Sequence, residues 1–361
     1  MTREQSELAR RRLRLGITNV GFWVVAATSG LWWIDHWDTS GFDFRRLGWV
    51  ALAVVMAQSV FDIVGGQWLL PAPRPTSKVF LRRWLPGAIG HTLVLGCVGL
   101  ITYASVRLTG GFVLAIVLSM VALAVSRLFF LRAIGGIVTR MRMHDGANVL
   151  IAENTSGAFT GGMHGFGRRA RSVVPAHWLT ALPREQLAAE ASRRQWQIDR
   201  GLPARAFLLL VGWNMLGASL GSIALGLAAR LPAESLLGYA CWMTIWAFGG
   251  LLLLPRLSRN GVFAADRAAA DSGRDPRSWI AHFPSMVGED GSARSAVQTI
   301  FYPIPSAAGR LQRLEQPIAG LVLGSLARSN LYYSWATLTL LGRAVHCNVG
   351  QPALWVFPPS A

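Results

Sequence analysis

The stretch that decides the fold of this chain is residues 205–255, which contains two long apolar runs. The first reads RAFLLLVGWNMLGASLGSIALGLAA (205–229), and the second reads SLLGYACWMTIWAFGGLLLLP (235–255). A membrane-spanning helix needs about 20 mostly apolar residues, and each run meets that length. The five residues between them, RLPAE (230–234), form a short polar connection. The stretch therefore predicts a hairpin of two transmembrane helices.

Four more apolar runs precede this hairpin. They cover residues 16–34, 47–71, 86–108 and 111–131, and a tight turn around Gly110 joins the last two. Hydrophobic residues make up 52% of the chain and charged residues only 15%, whereas soluble domains carry about 25% charged residues. The sequence therefore predicts a mainly α membrane protein with about six transmembrane helices.

The basic residues of the chain are concentrated beside the apolar runs. The chain has 35 Lys and Arg against 18 Asp and Glu, which gives a formal net charge of +17. Arginines at 10–14 precede the first run, and basic residues at 74–83 precede the third. Because cytoplasmic loops are rich in Lys and Arg, this pattern predicts a cytoplasmic N-terminus and contact with membrane lipids, and not nucleic-acid binding. The arginine-, alanine- and tryptophan-rich composition favours a bacterial-type inner membrane.

An even number of spans leaves two further segments on the cytoplasmic side. The predicted regions are a four-helix membrane region (1–131), a cytoplasmic β-hairpin region with a helix (132–204), the transmembrane hairpin (205–255) and a cytoplasmic helix with a C-terminal tail (256–361). The predicted elements of the cytoplasmic regions are a strand at 147–151, a return strand at 171–174, a helix from 182 to about 199 and a helix at 256–272. The apolar segment 317–347 contains Arg328 and Arg343, and we expect it to be packed or interfacial and not a seventh span.

Two ionisable residues lie inside predicted spans, Asp62 in the second and His91 in the third. Such residues are functional hypotheses by default, here as a pair across adjacent helices that serves transport or a proton relay. The alternative is that Asp62 meets water or a neighbouring helix. No inverted repeat of hydropathy accompanies the two residues, which disfavours a transporter. The three cysteines, Cys97, Cys241 and Cys347, form no CxxC pair, so the sequence predicts neither a disulfide framework nor a thiolate zinc site.

Four short motifs follow one another between residues 145 and 315. They are GAFTGG (157–162), LPREQL (182–187), SR with FAADR (258–259 and 263–267), and PS with RLQRL (305–306 and 310–314). In this order, with a pair of spans between the second and third, they resemble the HtpX-type and CAAX-prenyl-protease-type membrane zinc metallopeptidases. The resemblance implies a small α+β peptidase-like domain on the cytoplasmic side. It also implies a zinc site built from HExxH on the helix after the second motif and a third ligand near the third motif.

The residues at the positions of that zinc site differ from the family pattern. Arg193, Arg194 and Gln197 stand where the first ligand, the general base and the second ligand would be, and Val262 stands at the third ligand. Catalytic zinc needs three N, S or O donors from the protein, whereas a guanidinium has no lone pair and stays charged. We therefore expect no zinc, no other cofactor and no catalytic residue. Asp266 keeps the family's residue, and we expect it to pair with Arg193 or Arg194.

These observations leave more than one function open. The first is a non-catalytic, peptidase-like membrane protein that acts as a scaffold, adaptor or accessory subunit, with other membrane protein subunits as partners. The alternative is a membrane-embedded zinc metalloendopeptidase with non-standard ligands. Trp196 is expected to fill the former cleft, and Arg193 and Arg194 could hold an anion such as a carboxylate or lipid phosphate. The apolar tail, residues 336–361, is expected to dock on a partner or to pack on its own domain. No motif indicates a small-molecule substrate, and the glycine-rich segment 157–167 lacks the GxxxxGK[ST] pattern of nucleotide sites.

Overall fold

A computed structural model shows the fold of most of the chain. It describes residues 3–36, 41–69, 75–109, 111–133, 138–144, 147–153, 157–227, 230–289, 291, 294, 302, 304–318 and 320–359. Gly110 of the predicted tight turn and Arg74 of the predicted basic loop lie outside these residues.

The described chain is mainly helical. Its helices are α1 (Arg3–His36), α2 (Phe44–Ile63), α3 (Ser77–Thr109), α4 (Val113–Ala133), α5 (Trp178–Ala181), α6 (Arg184–Asp199), α7 (Leu202–Ala224), α8 (Pro232–Asp271), α9 (Arg277–Val287), α10 (Ala307–Arg313), α11 (Leu326–Tyr333), α12 (Leu341–Ala344) and α13 (Pro352–Val356). Its strands are β1 (Val138–His144), β2 (Ala147–Glu153), β3 (Gly162–His164) and β4 (Arg171–Pro175). A π-helical turn, Val64–Trp68, continues α2.

Six helices, α1 to α4 with α7 and α8, are long and apolar enough to cross a membrane, which confirms the six predicted runs. Each also carries large apolar side chains on its outer surface. Examples, one from each helix, are Val25, Val60, Leu100, Val125, Ile223 and Leu253, all of which are exposed. Apolar surface on every long helix suits a lipid environment, because soluble proteins seldom expose large apolar patches.

The longest helix, α8, has 40 residues and continues well beyond its apolar run. At 1.5 Å per residue it is about 60 Å long, roughly twice the thickness of a bilayer's hydrocarbon core. The helix predicted at 256–272 is confirmed as far as Asp271, but it is the second half of α8 and not a distinct helix. Pro255 lies inside this helix. A proline removes one backbone hydrogen bond, and here packing along the rest of α8, against α1, α6, α7 and α11, offsets that loss.

The small sheet has the strand order β1-β2-β4-β3. The first two strands form an antiparallel hairpin, but β4 runs parallel to β2, with Ile151 opposite Val174. The predicted return strand at 171–174 therefore exists, but its predicted direction is wrong. The short strand β3 pairs antiparallel with β4. In the sequence, β3 lies between β2 and β4. Gly161 allows this close return, because its φ is +68° and a Cβ there would lie 1.9 Å from the Val173 carbonyl oxygen.

The C-terminal tail packs into the centre of the protein. Its short helices α11 to α13, and the 3₁₀ turn Ser334–Thr337, contact α3, α4, α7 and α8. Trp335 and Trp355 are completely buried. The sequence predicts a packed or interfacial segment at 317–347, and residues 326–347 are packed, whereas Leu321 is exposed. Of the two expectations for residues 336–361, packing on its own domain is the one observed for residues 336–359. Hydropathy alone could not separate the two, because an apolar segment suits an internal core and an external partner equally.

We expect Trp355→Ala to destabilise the protein strongly. The Trp355 ring lies under the Arg343 guanidinium at 4.0 Å, and its Nε1 donates to the Asn348 carbonyl at 2.7 Å. Truncating a buried tryptophan costs about 3–5 kcal/mol of unfolding free energy. The measurement is unfolding of the purified protein in detergent, with Trp49→Ala as control, since Trp49 is 63% exposed. An equal loss of unfolding free energy in Trp355→Ala and Trp49→Ala would contradict a structural role for the tail.

Candidate functional site

The residues predicted for the former zinc site lie at the interface of α6 with the second half of α8. Arg193 and Gln197 are four residues apart on α6 and share one face, as do Val262 and Asp266 on α8. All four side chains are buried, as is Arg194. The predicted helix over 182–199 is confirmed with a start at Arg184, and it packs directly on α8. The structure therefore gathers the predicted residues at one interface.

Asp266 and Arg193 form the ion pair that the sequence predicted. The Arg193 Nε lies 2.6 Å from the Asp266 Oδ1, although its N–H is not directed at that oxygen. The same guanidinium donates through NH1 to Glu190, one turn earlier on α6. Burial alone would lower the pKa of Arg193, but Asp266 and Glu190 outweigh it and raise that pKa above its usual value. Arg193 is therefore a fixed cation held between two carboxylates.

Asp266 has a second, stronger partner that the sequence analysis missed. Arg310 of α10 donates to both of its carboxylate oxygens, through Nε at 2.8 Å and NH2 at 2.7 Å. Such two-pronged pairing is the geometry that guanidinium and carboxylate groups favour. Glu190 was also missed, although its spacing of three and four residues from the two arginines is the spacing of helical ion pairs.

Arg194 does not contact Asp266 but connects α6 to the sheet and the glycine-rich segment. Its Nε donates to Glu190 at 2.6 Å, its NH1 to the Val173 carbonyl at 2.7 Å and its NH2 to the Thr160 carbonyl at 2.8 Å. Each nitrogen of this guanidinium therefore has a protein acceptor. The protein's own carboxylate and carbonyls thus use every donor nitrogen that Arg194 could offer to an anion, whereas among the described residues the Arg193 Nε and NH2 have no hydrogen-bond acceptor.

The chemistry of this site is that of a closed ion-pair network. Three guanidinium groups, from Arg193, Arg194 and Arg310, surround the carboxylates of Glu190 and Asp266, and all five side chains are buried. The three cations disfavour a divalent metal at the two carboxylates, because like charges repel at short range. Across the described residues, no three His, Cys, Asp or Glu side chains are grouped so as to hold a metal ion.

The other side chains considered for the site are placed elsewhere. Trp196 is partly exposed and faces the exposed Arg200, whose Cζ lies 5.6 Å from the ring centroid. His164 lies on β3, where burial and the charge of Arg127 lower its pKa to about 4. His346 lies in the tail against Glu289.

A second buried polar cluster surrounds Asp62 on α2. Its Oδ2 accepts from the Arg343 Nε at 2.9 Å and from the Trp84 Nε1 at 3.1 Å. Its Oδ1 accepts from the Gly350 amide at 3.0 Å and from the Gln58 Nε2 at 3.2 Å. The carboxylate is therefore saturated with donors, which makes it a packing element and not an open proton acceptor.

Arg343 stands between Asp62 and His91. Its NH1 lies 3.3 Å from the His91 Nδ1, while its Nε and NH2 bond to Asp62. The predicted direct pair of Asp62 with His91 is therefore replaced by a bridge through a tail arginine. Sequence reasoning missed this bridge because Arg343 is 281 residues from Asp62.

We expect Asp266→Asn to cost about 3–5 kcal/mol of unfolding free energy, because it leaves two buried arginines without their shared carboxylate. The matched control is Asp271→Asn on the same helix, whose side chain is 70% exposed. Surface changes of this kind alter stability by about 0.5 kcal/mol or less. Thermal or denaturant unfolding in detergent measures the unfolding free energy of both variants. Similar losses in Asp266→Asn and Asp271→Asn would contradict the buried network.

A double-mutant cycle tests the bridge in the tail. Asp62→Asn and Arg343→Met should each destabilise the protein, while the double variant should lose less than the sum of the two. A coupling of about 0.5–3 kcal/mol is usual for residues in one network. Unfolding free energies of the four proteins give this coupling, and additive losses would argue against the observed pair.

Comparisons with known proteins identify no relatives of this chain. No protein-family model matches the sequence, and no curated protein is significantly similar to it. The likeness to membrane metallopeptidases therefore rests on the residues of this chain alone.

Proposed function

We propose that this chain is a non-catalytic, peptidase-like integral membrane protein that acts by binding, as a scaffold, adaptor or accessory subunit of a membrane protein complex. The observation that carries the proposal is the buried network of Arg193, Arg194 and Arg310 with Glu190 and Asp266. It occupies the place at which the resembled metallopeptidases would hold zinc.

Contacts between the motif segments support a peptidase-like frame. Asp266 belongs to the third motif and Arg310 to the fourth, and the two are joined by two hydrogen bonds. Arg194 reaches from α6 to Thr160 in the first motif. Segments that are 34 and 44 residues apart in sequence thus converge on one site. Such convergence is expected if the motifs descend from one functional centre.

The side chains of that centre argue against hydrolysis. Zinc proteases need metal-bound water and a base to activate it. Arg193 and Arg194 are at the positions of a ligand and the base, and Val262 at the third ligand has no donor atom. Gln197 supplies at most one neutral oxygen. With two carboxylates already committed to arginines, the site is suited to holding elements together.

The membrane assignment completes the proposal. Arginines near the start of α1 and before the apolar part of α3 favour a cytoplasmic N-terminus in a bacterial-type inner membrane. The second half of α8, with α6 and the sheet, would then lie on the cytoplasmic side. Partners would be other membrane protein subunits and lipids.

Zinc content and proteolysis test the absence of catalysis. We expect the purified full chain to contain no stoichiometric zinc and to leave casein intact with and without a chelator. One zinc per chain with chelator-sensitive cleavage would overturn the proposal in favour of a metalloendopeptidase with non-standard ligands. Purification from native membranes under gentle conditions is the second arm, and a monomer without associated subunits would contradict the subunit role.

A rebuilt site tests the peptidase-like frame separately. The variant places the metal ligands and the base with Arg193→His, Arg194→Glu, Gln197→His and Val262→Glu. It also carries Glu190→Ala, because the Glu190 carboxylate would otherwise be left buried without its two arginine partners. If the frame is peptidase-like, the folded variant should bind about one zinc per chain, because the new donors share the buried faces of α6 and α8. The control carries the same changes except that Val262 is retained, and it should bind zinc more weakly. Equal binding by both would remove the support for this frame.

A further inference from the structure

We propose that a buried arginine cluster beside α1 binds the acidic headgroup of a membrane lipid, whose acyl chain lies along the apolar side chains of α1 that border the adjoining cavity. The cluster, here called the Arg12 cluster, consists of Arg12, Glu289, Arg294, Arg328 and His346. It is separate from the network at α6 and does not depend on the function proposed above.

The Arg12 cluster carries more positive than negative charge. Arg294 and Arg328 share one carboxylate, with the Arg294 NH2 at 3.0 Å from the Glu289 Oε2 and the Arg328 NH2 at 3.8 Å from its Oε1. Among the described residues, Arg12 adds a third cation, which forms no ion pair with Glu289. Burial lowers the pKa of His346 despite the nearby Glu289, so this ring is neutral at pH 7. Arg12, Arg328 and Glu289 are each 5% exposed or less. Buried charges in proteins are normally paired, so the surplus cations call for an anion.

Several donors of the Arg12 cluster are unused by the rest of the protein. Among the described residues, the Arg12 NH2 and the Arg328 Nε and NH2 have no hydrogen-bond acceptor. Their remaining contacts are weak, since the Arg12 NH1 is 3.4 Å from the Val287 carbonyl and the Arg328 NH1 is 3.1 Å from the Cys347 sulfur. A phosphate or carboxylate offers the several oxygens that such donors bind. The Glu289 Oε1 is also unbonded, and a headgroup hydroxyl would satisfy it.

A small, largely apolar cavity of about 40 Å³, open on one side, adjoins the cluster. Arg328 and His346 form part of its wall, and the remaining wall is largely apolar, from Gly16, Ile17 and Val20 of α1 and Leu251 of α8. Both helices are candidate membrane spans. Ile17 is 39% exposed, so the cavity borders the outer, lipid-facing side of α1. Polar groups at one side and apolar walls elsewhere match an amphiphile with an anionic head.

Free phosphate would use only part of this arrangement. It would neutralise Arg12 and Arg328 but would leave the apolar walls without a partner. A lipid satisfies both, since its headgroup meets the guanidinium groups and its chain continues along α1 from Gly16 to Val20. The same reasoning separates this cluster from Arg193 and Arg194, whose carboxylates are already in place.

Native mass spectrometry of the full chain in detergent tests the proposal, with phosphatidylglycerol and phosphatidylcholine of identical acyl chains as probes. The wild type should retain one phosphatidylglycerol at concentrations at which phosphatidylcholine is not retained. Arg12→Gln and Arg328→Gln should each weaken this binding by about tenfold or more, the loss expected for a charge-assisted hydrogen bond. The matched control is Arg11→Gln, since Arg11 is the exposed neighbour on the same helix, and it should bind like the wild type.

A second pair of variants tests the acyl-chain part and leaves the arginines in place. Ile17→Trp should fill the cavity and weaken phosphatidylglycerol binding, whereas Val25→Trp, on the exposed surface of the same helix, should not. Equal retention of the two lipids, unchanged binding by the arginine variants, or wild-type binding by Ile17→Trp would each overturn the proposal. Inorganic phosphate is a further arm. Thermal stabilisation by phosphate without any preference for phosphatidylglycerol would identify a free anion as the ligand and overturn the lipid.

Discussion

Asp266 receives two hydrogen bonds from Arg310 and an ion pair from Arg193, so one buried carboxylate joins α6, α8 and α10. Taking charged groups out of water costs several kcal/mol for each ion, and only close opposite charges offset that cost. The three elements therefore have little freedom to separate without exposing unpaired charge. Arg194 extends the same constraint to the sheet through the Val173 and Thr160 carbonyls.

The membrane-spanning part uses the same kind of constraint. Asp62 lies on a candidate span and meets Arg343 from the tail, with Trp84 and Gln58 completing its coordination. A charged residue among apolar helices needs such a partner. The tail must therefore return into the helical bundle, which explains why an apolar C-terminal segment is internal core and not a free docking surface.

The balance of charge distinguishes structural arginines from arginines with binding capacity. At α6, three guanidinium groups meet two carboxylates and several backbone carbonyls, which use every nitrogen of Arg194 but leave the Arg193 Nε and NH2 without a hydrogen-bond acceptor in the described part of the chain. In the Arg12 cluster, two guanidinium groups pair with one carboxylate and Arg12 adds a third cation, and donors of Arg12 and Arg328 have no hydrogen-bond acceptor in that part of the chain. The network at α6 holds helices together, whereas the role proposed for the Arg12 cluster is to bind a ligand.

The sequence by itself determined the six long helices and the presence of strands near 147–151 and 171–174. It also determined that Arg193 and Gln197 share one face of α6. These features depend on local runs of apolar residues and on short-range spacing, which a single sequence displays directly. Only the tertiary structure decided that β4 runs parallel to β2, that α8 continues through Pro255 and that the tail is buried. It also supplied Arg310 and Arg343 as the partners of Asp266 and Asp62. These contacts join residues 44 and 281 positions apart. The partner of a buried charge is the oppositely charged residue that lies near it in the folded chain. Hydropathy and residue spacing are local properties of the sequence, so they do not predict that partner.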